Sequence, residues 1–218
     1  MNKYSVIMVD EAHERSLNID FVLGLLKRVL KVRHDLKIII SSATMNAEKF
    51  STYFDGCPIV TIDTITYPVT VIYDPPSIPA STSTLTAQEA LLSKIANTID
   101  RILYNKTEGD ILIFLPGEKA IKDCINKLYS SPFSRKIHII PLYGRLPKED
   151  QEKVFSNSPF GRKKVIISTN IAETSVTIDG ITSVIDSGLA KLNFYSPRTF
   201  TSSLIETPIS KASCNQRR

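Results

Sequence analysis

The chain has 218 residues, enough for one large domain or two modest ones. Hydrophobic residues make up 42% and charged residues 22%, which supports a packed core and excludes wholesale disorder. The net charge is +5, and residues 145–218 carry eleven basic against seven acidic side chains, a surplus that suits a polyanion and equally suits a solvated surface. No apolar run approaches the roughly 18 residues a membrane helix needs. The opening Met1-Asn2-Lys3-Tyr4 leads into a short strand and not a secretory leader, so a soluble intracellular protein is expected. Cys57, Cys124 and Cys214 form no C-x-x-C pair and are expected to be reduced, packed thiols.

In chain order, Tyr4–Val9 is a continuous apolar run ending at Asp10, the pattern of a parallel strand buried on both faces. Phe21, Val22, Leu25, Leu26, Val29 and Leu30 follow at helical spacing. Leu36–Ile40 is the next predicted strand, Met45–Phe54 a short helix and Pro58–Ile62 a further strand. This alternation predicts an α/β fold with a mostly parallel sheet. It breaks at residues 74–84, which hold three prolines and no periodicity. Thr86-x-x-Glu89 then reads as a capping box for a helix with the stripe Leu91, Leu92, Ile95, Ile99, Ile102 and Leu103.

A second series begins with the strand Asp110–Leu115 and the helix Glu118–Tyr129. The strand Ile137–Leu142, a helix over Pro147–Phe155, and strands at Val165–Ser168 and Val184–Asp186 continue it. Lys191–Tyr195 and Ser203–Glu206 around Ser196-Pro197-Arg198 read as a β-hairpin. The organisation expected is a first α/β domain over 1–73, a linker over 74–86 and a second α/β domain over 87–218.

Chemistry concentrates first at Asp10-Glu11-Ala12-His13. A strand ending in two carboxylates puts them at the C-terminal edge of a parallel sheet, where ligands bind in open α/β folds. One can hold Mg2+ while the other orients or deprotonates a water in phosphoryl transfer; a solvated acidic pair is the plain alternative. Ser41-Ser42-Ala43-Thr44 ends the next strand. Its hydroxyls can bond a neighbouring carboxylate or His, or cap the following helix.

Taken together these residues resemble motifs II and III of the DEAH-box RNA helicases of superfamily 2. Gly109–Gly117 resembles motif IV, and Pro141–Pro147 with Gln151 and Phe155 the segment after it. Ser168–Ile181 is a long match to motif V, and Pro208–Ser213 leading to Gln216-Arg217 matches the start of motif VI. The resemblance implies two RecA-like parallel-sheet domains, the first partial, with ATP and Mg2+ in the cleft between them. It implies that Asp10 and Glu11 serve the metal and the attacking water. It has His13, Ser42 and Thr44 couple that site to the rest, and Gln216 place the water. It puts Phe155 against the base, with Thr177 and Asp179 reaching sugar and phosphates. Thr169 and Asn170 would contact the RNA backbone. Phe155 has a competing reading as core, and Thr169 and Asn170 one as turn residues. Arg145, Arg162, Lys163 and Lys164 can contact phosphate or simply be solvated. Contact with backbone alone gives sequence-independent, salt-sensitive RNA binding. The family further implies RNA processing such as mRNA splicing, nuclear residence and G-patch-type activators.

Thr64-Ile65, Pro116, Glu118 and Gly144 depart from the family pattern. None of the eight glycines is followed by Lys, so the chain holds no G-x-x-x-x-G-K-[ST] loop. The expectation is a piece of an ATP-dependent RNA helicase or RNP remodeller that hydrolyses little ATP by itself, lacking the P-loop and the arginine finger. A truncated, non-catalytic relative that binds RNA or protein is the alternative, and a DNA translocase a third.

Overall fold

A computed structural model describes residues 3–42, 47–62, 68–77, 83–159, 161–174 and 177–217. The chain divides into two compact units, Met1–Pro68 and Val69–Arg218.

In the first unit, β1 (Val6–Val9) and β2 (Lys37–Ile40) pair in parallel, with Val9 opposite Ile40. The connection between them is α1 (Leu17–Leu30), started by Ser16, whose Oγ accepts from the Ile19 amide at 3.3 Å. Helix α2 (Ala47–Tyr53) follows. Val9, Ala12, Leu23 and Leu26 form the buried core, with Ile7, Ile38, Ile40 and Phe50 against it. Val6 and Met8 remain 50% and 59% exposed, so β1 is buried on one face only, against the sequence expectation. Its alternate side chains have no layer over them among the described residues. Pro58–Ile62 forms no strand: Val60 and Ile62 are exposed and no described strand pairs with the segment. An apolar β-branched run supplies propensity, but a strand also needs a partner for its amides.

In the second unit, β3 (Asp110–Phe114), β4 (Ile137–Leu142), β5 (Lys163–Ser168) and β6 (Ile181–Asp186) form a parallel sheet in the order β4-β5-β3-β6. One face packs under α3 (Thr84–Tyr104) and α4 (Glu118–Tyr129) through Ile95, Ile99, Ile111, Ile113, Ile121 and Leu128. The other face, Leu112, Phe114, Ile140, Leu142 and Ile166, is covered by Val154, Ile171, Ala172 and Ile178. Those four come from short segments: α5 (Lys148–Glu152) with the 3-10 turn Lys153–Phe155, α6 (Ile171–Thr174), and the loop leading to β6. Gly109, at φ +72, turns the chain into β3; a Cβ there would lie 2.2 Å from Thr182 Cγ2 and 2.7 Å from the Gly180 carbonyl.

The cap of α3 is Ser83, whose Oγ accepts from the Thr86 amide at 3.3 Å, three residues before the predicted one. Thr86 therefore sits inside the first turn, and residues 84–86 are helical. Asp74 is tied to the same helix by Lys94 at 2.5 Å and Arg101 at 3.6 Å. The antiparallel hairpin β7 (Leu189–Ser196) and β8 (Thr201–Pro208) is longer than predicted, and α7 (Lys211–Arg217) follows it. Cys124 is packed, while Cys214 is exposed, unlike the expectation for it.

Candidate functional site

The first cluster lies where β1 and β2 end. The in-register pairing carries Asp10 alongside Ser41. Asp10 Oδ1 accepts from the Ser41 hydroxyl and, at 2.9 Å, from the Glu11 amide. The Ser41 hydroxyl is the largest cause, and the Glu11 amide the next, of an Asp10 pKa held below the ordinary carboxylate range. Asp10 is thus a carboxylate at neutral pH. Both donors meet the same oxygen, Oδ1.

Glu11 adopts φ +53, left-handed for a non-glycine residue. Such conformations cost about 1–3 kcal/mol and collect at functional sites. The bend is pinned by Ala12, which is fully buried and donates its amide to the Ser41 carbonyl at 3.0 Å. His13, with its side chain 6% exposed, approaches Glu11 Oε2 through Nε2 at 3.3 Å. That oxygen is buried and meets His13 at ion-pair distance without a well-aligned hydrogen bond, while the Glu11 side chain as a whole is 41% exposed. The arrangement gives two adjacent carboxylates different surroundings: one fixed by hydroxyl and amide, the other half open to water. Ser42 is half-buried beside them. Thr44 lies outside the described residues. Ser41, the residue that bonds Asp10, is one of the strand-end hydroxyls the sequence offered for a neighbouring carboxylate, while the resemblance pointed one position on, to Ser42.

The second cluster belongs to the second unit. Its motif-bearing segments cover one face of the sheet, the face opposite α3 and α4. Phe155 ends a 3-10 turn and is 60% exposed, so it is not a core residue, while its neighbour Val154 is fully buried. Thr177 and Asp179 are exposed on either side of Ile178, which packs on the same face. Thr169 is half-buried, continues the ladder past β5 by donating its amide to the Leu142 carbonyl at 3.1 Å, and is followed by the exposed Asn170. Gln216 is half-buried on α7.

Next to it, Arg217 is buried in spite of its charge. It donates through Nε to Glu173 of α6 and through Nη1 to Asp186 at the end of β6, both at 2.7 Å. Its guanidinium lies 4.6 Å over the Phe114 ring. One side chain thereby fastens α6, β6 and α7 to the sheet. The sequence names Arg217 only as part of a motif, because its partners lie 31 and 44 residues away. Of the four basic residues weighed for phosphate contact, Lys163 donates to the Thr107 carbonyl at 2.6 Å and Lys164 to the Val154 carbonyl at 3.0 Å. Arg145 and Arg162 are exposed. Gln151 donates to the Leu146 carbonyl at 2.8 Å and so shapes the turn into α5.

Residues 93–217 match the helicase conserved C-terminal domain family. The chain is 51% identical over 215 residues to the ATP-dependent RNA helicase HrpA of Borreliella burgdorferi, an alignment covering 99% of this chain and 25% of that protein. It is 42% identical over 222 residues to the pre-mRNA-splicing factor ATP-dependent RNA helicase prp22 of Schizosaccharomyces pombe, covering 100% of this chain and 18% of that protein. The chain thus spans a quarter or less of the length of these relatives.

Proposed function

The chain belongs to the helicases that carry the conserved C-terminal domain, in their DEAH-box form, and on that premise we propose that the intact protein couples ATP hydrolysis to movement on RNA. The observation that carries the reading is the Asp10–Ser41 hydrogen bond beside a bent, half-open Glu11 at the end of a parallel strand pair. In this reading Glu11 takes the proton of the water that attacks the terminal phosphorus of ATP. Asp10 keeps its charge because Ser41 and the Glu11 amide hold it, and its Oδ2 is a hard oxygen donor of the kind Mg2+ prefers. The fit supports Asp10, with Glu11 beside it, as the protein's share of a Mg2+ site; when bound, the ion would neutralise phosphate charge. His13 holds Glu11 from its buried side, and Ser42 follows the Ser41 link, so a change at the carboxylates reaches the end of β2.

In the second unit the proposal gives Phe155 the base, Thr177 and Asp179 the sugar and phosphates, and Gln216 the attacking water. The exposure of the first three, each next to a residue that packs on the same sheet face, Val154 or Ile178, supports it. Thr169 and Asn170 are proposed to meet the RNA backbone, and a G-patch-type protein to serve as activator. Similarity to a bacterial protein and to a splicing factor puts the shared chemistry on RNA ahead of any one compartment. The test is ATP turnover by the intact protein with RNA, with DNA of the same sequence, and with neither. Stimulation by RNA that falls as salt rises is the expected result. Stimulation by DNA equal to or above that by RNA would favour the DNA-directed alternative, and RNA binding without any turnover the non-catalytic one.

A further inference from the structure

Phe155 presents a puzzle of support. Its ring is 60% exposed, so packing does not orient it, and its 3-10 turn is only three residues long. Beneath it lies Lys164, 6% exposed on β5. Its ammonium donates to the Val154 carbonyl at 3.0 Å and the Ser156 carbonyl at 3.3 Å, the carbonyls of the two residues on either side of Phe155. The third neighbour is Asp110 Oδ2 at 3.8 Å. Asp110 is itself fixed: Oδ1 accepts from the Lys164 amide at 2.9 Å, and its own amide donates to the Gly180 carbonyl at 2.8 Å, one residue beyond Asp179.

Lysine is among the residues least often buried. The side chains after it, Val165, Ile166 and Ile167, are fully buried, and an aliphatic residue at 164 would continue that run against Val154. Buried ion pairs replaced by apolar side chains often leave stability unchanged or raised. Packing therefore does not call for an ammonium here. What the ammonium supplies is a three-point bridge, from the two carbonyls either side of one exposed ring to the Asp110 carboxylate and so to the loop that carries Asp179.

We infer that Lys164, braced by Asp110, is a positioning residue that aims the exposed ring of Phe155 at the base of the nucleotide. The inference rests on the base contact proposed above. Lys164 itself touches no substrate; it acts through the Phe155 backbone. Losing it lets the turn adopt several conformations, so nucleotide binding weakens while the chemical step, once ATP is seated, is unaffected.

The experiment is steady-state ATP hydrolysis at saturating RNA by the intact protein and three variants: Phe155→Ala, Lys164→Met and the double substitution. Stacking of a base on an aromatic ring predicts that Phe155→Ala raises KM for ATP about tenfold with kcat little changed. Lys164→Met should raise KM about threefold to tenfold by the same route, and add nothing in the Phe155→Ala background. That loss of effect in the double variant is what a merely structural lysine would not give. Should Lys164→Met fail to fold, Lys164→Arg keeps the charge but not the three-point geometry, and KM should rise in it with kcat retained. If Phe155→Ala raises KM and the Lys164 variants do not, or if their effects multiply, the positioning role is overturned while the base contact stands. If Phe155→Ala leaves KM unchanged, the base contact fails and the inference with it.

Discussion

The two parallel sheets of this protein look alike in sequence and differ in how they are used. Strands β1 and β3 are both short apolar runs. The described β1 sheet has two strands and leaves Val6, Met8 and Ile39 exposed on one side; β3 lies between β5 and β6 with Ile111, Ile113 and Phe114 sealed on both faces. The candidate carboxylates sit on the thin sheet, held by a hydroxyl and an amide. The second unit sets its motif residues on a thick support, fastened by buried charges. An apolar run therefore predicts that a strand forms, while the number of layers around it depends on neighbours the run does not encode. Substitutions near Asp10 should change chemistry with little effect on folding, whereas loss of apolar bulk or of the Arg217 cation in the second unit should change folding first.

Arg217→Ala should break the second unit most. It leaves Glu173 and Asp186 without their buried cation, and removing one partner of a buried pair costs about 3–5 kcal/mol. A denaturant midpoint close to that of the native chain would mean water replaces the guanidinium. Next, Ile113→Ala and Met8→Ala remove similar apolar bulk from the two sheets. Ile113 is fully buried, and its truncation should cost about 2–5 kcal/mol. Met8 is mostly exposed, and its change should stay within about 0.5 kcal/mol. Equal costs would erase the contrast.

Much of this was legible in the residues. The alternation of strands and helices, the span of α4 and the motifs that belong to Asp10, Glu11 and the segments around β5 are local patterns, and local patterns survive in sequence. What was hidden depends on pairing across distance. Ser41 meets Asp10 because β1 and β2 run in register. Pro58–Ile62 has strand composition and no described partner. Ser83 caps α3 because the helix begins about one turn before the predicted cap at Thr86, ahead of the apolar stripe that marked it in the sequence. Lys164 reads as a phosphate contact or a solvated cation, and Arg217 as part of a motif, until their carboxylates, far away in sequence, are seen beside them.

Smaller effects sharpen the comparison further. Ser41→Ala removes the largest cause of the low Asp10 pKa, so the carboxyl should titrate at higher pH in the variant. The native group keeps its charge further into acid, and whatever it stabilises is lost only as pH falls through that lowered pKa. Carbon NMR of the Asp10 carboxyl reads the shift; an unchanged midpoint would remove Ser41 from the site. The cysteines give the smallest effect. Burial pushes the Cys124 thiol up to about 12, whereas Cys214 is exposed. Alkylation of the folded protein near neutral pH should label Cys214 and spare Cys124 until the second unit unfolds.

The most direct test of the account is RNA-stimulated ATP turnover by the intact protein carrying Glu11→Gln. If Glu11 accepts the proton of the attacking water, turnover should fall about 10²–10⁴-fold while RNA binding and the unfolding midpoint stay as they were. Turnover that survives the substitution, or that is lost only together with the fold, would contradict the assignment of the chemistry to the end of β1.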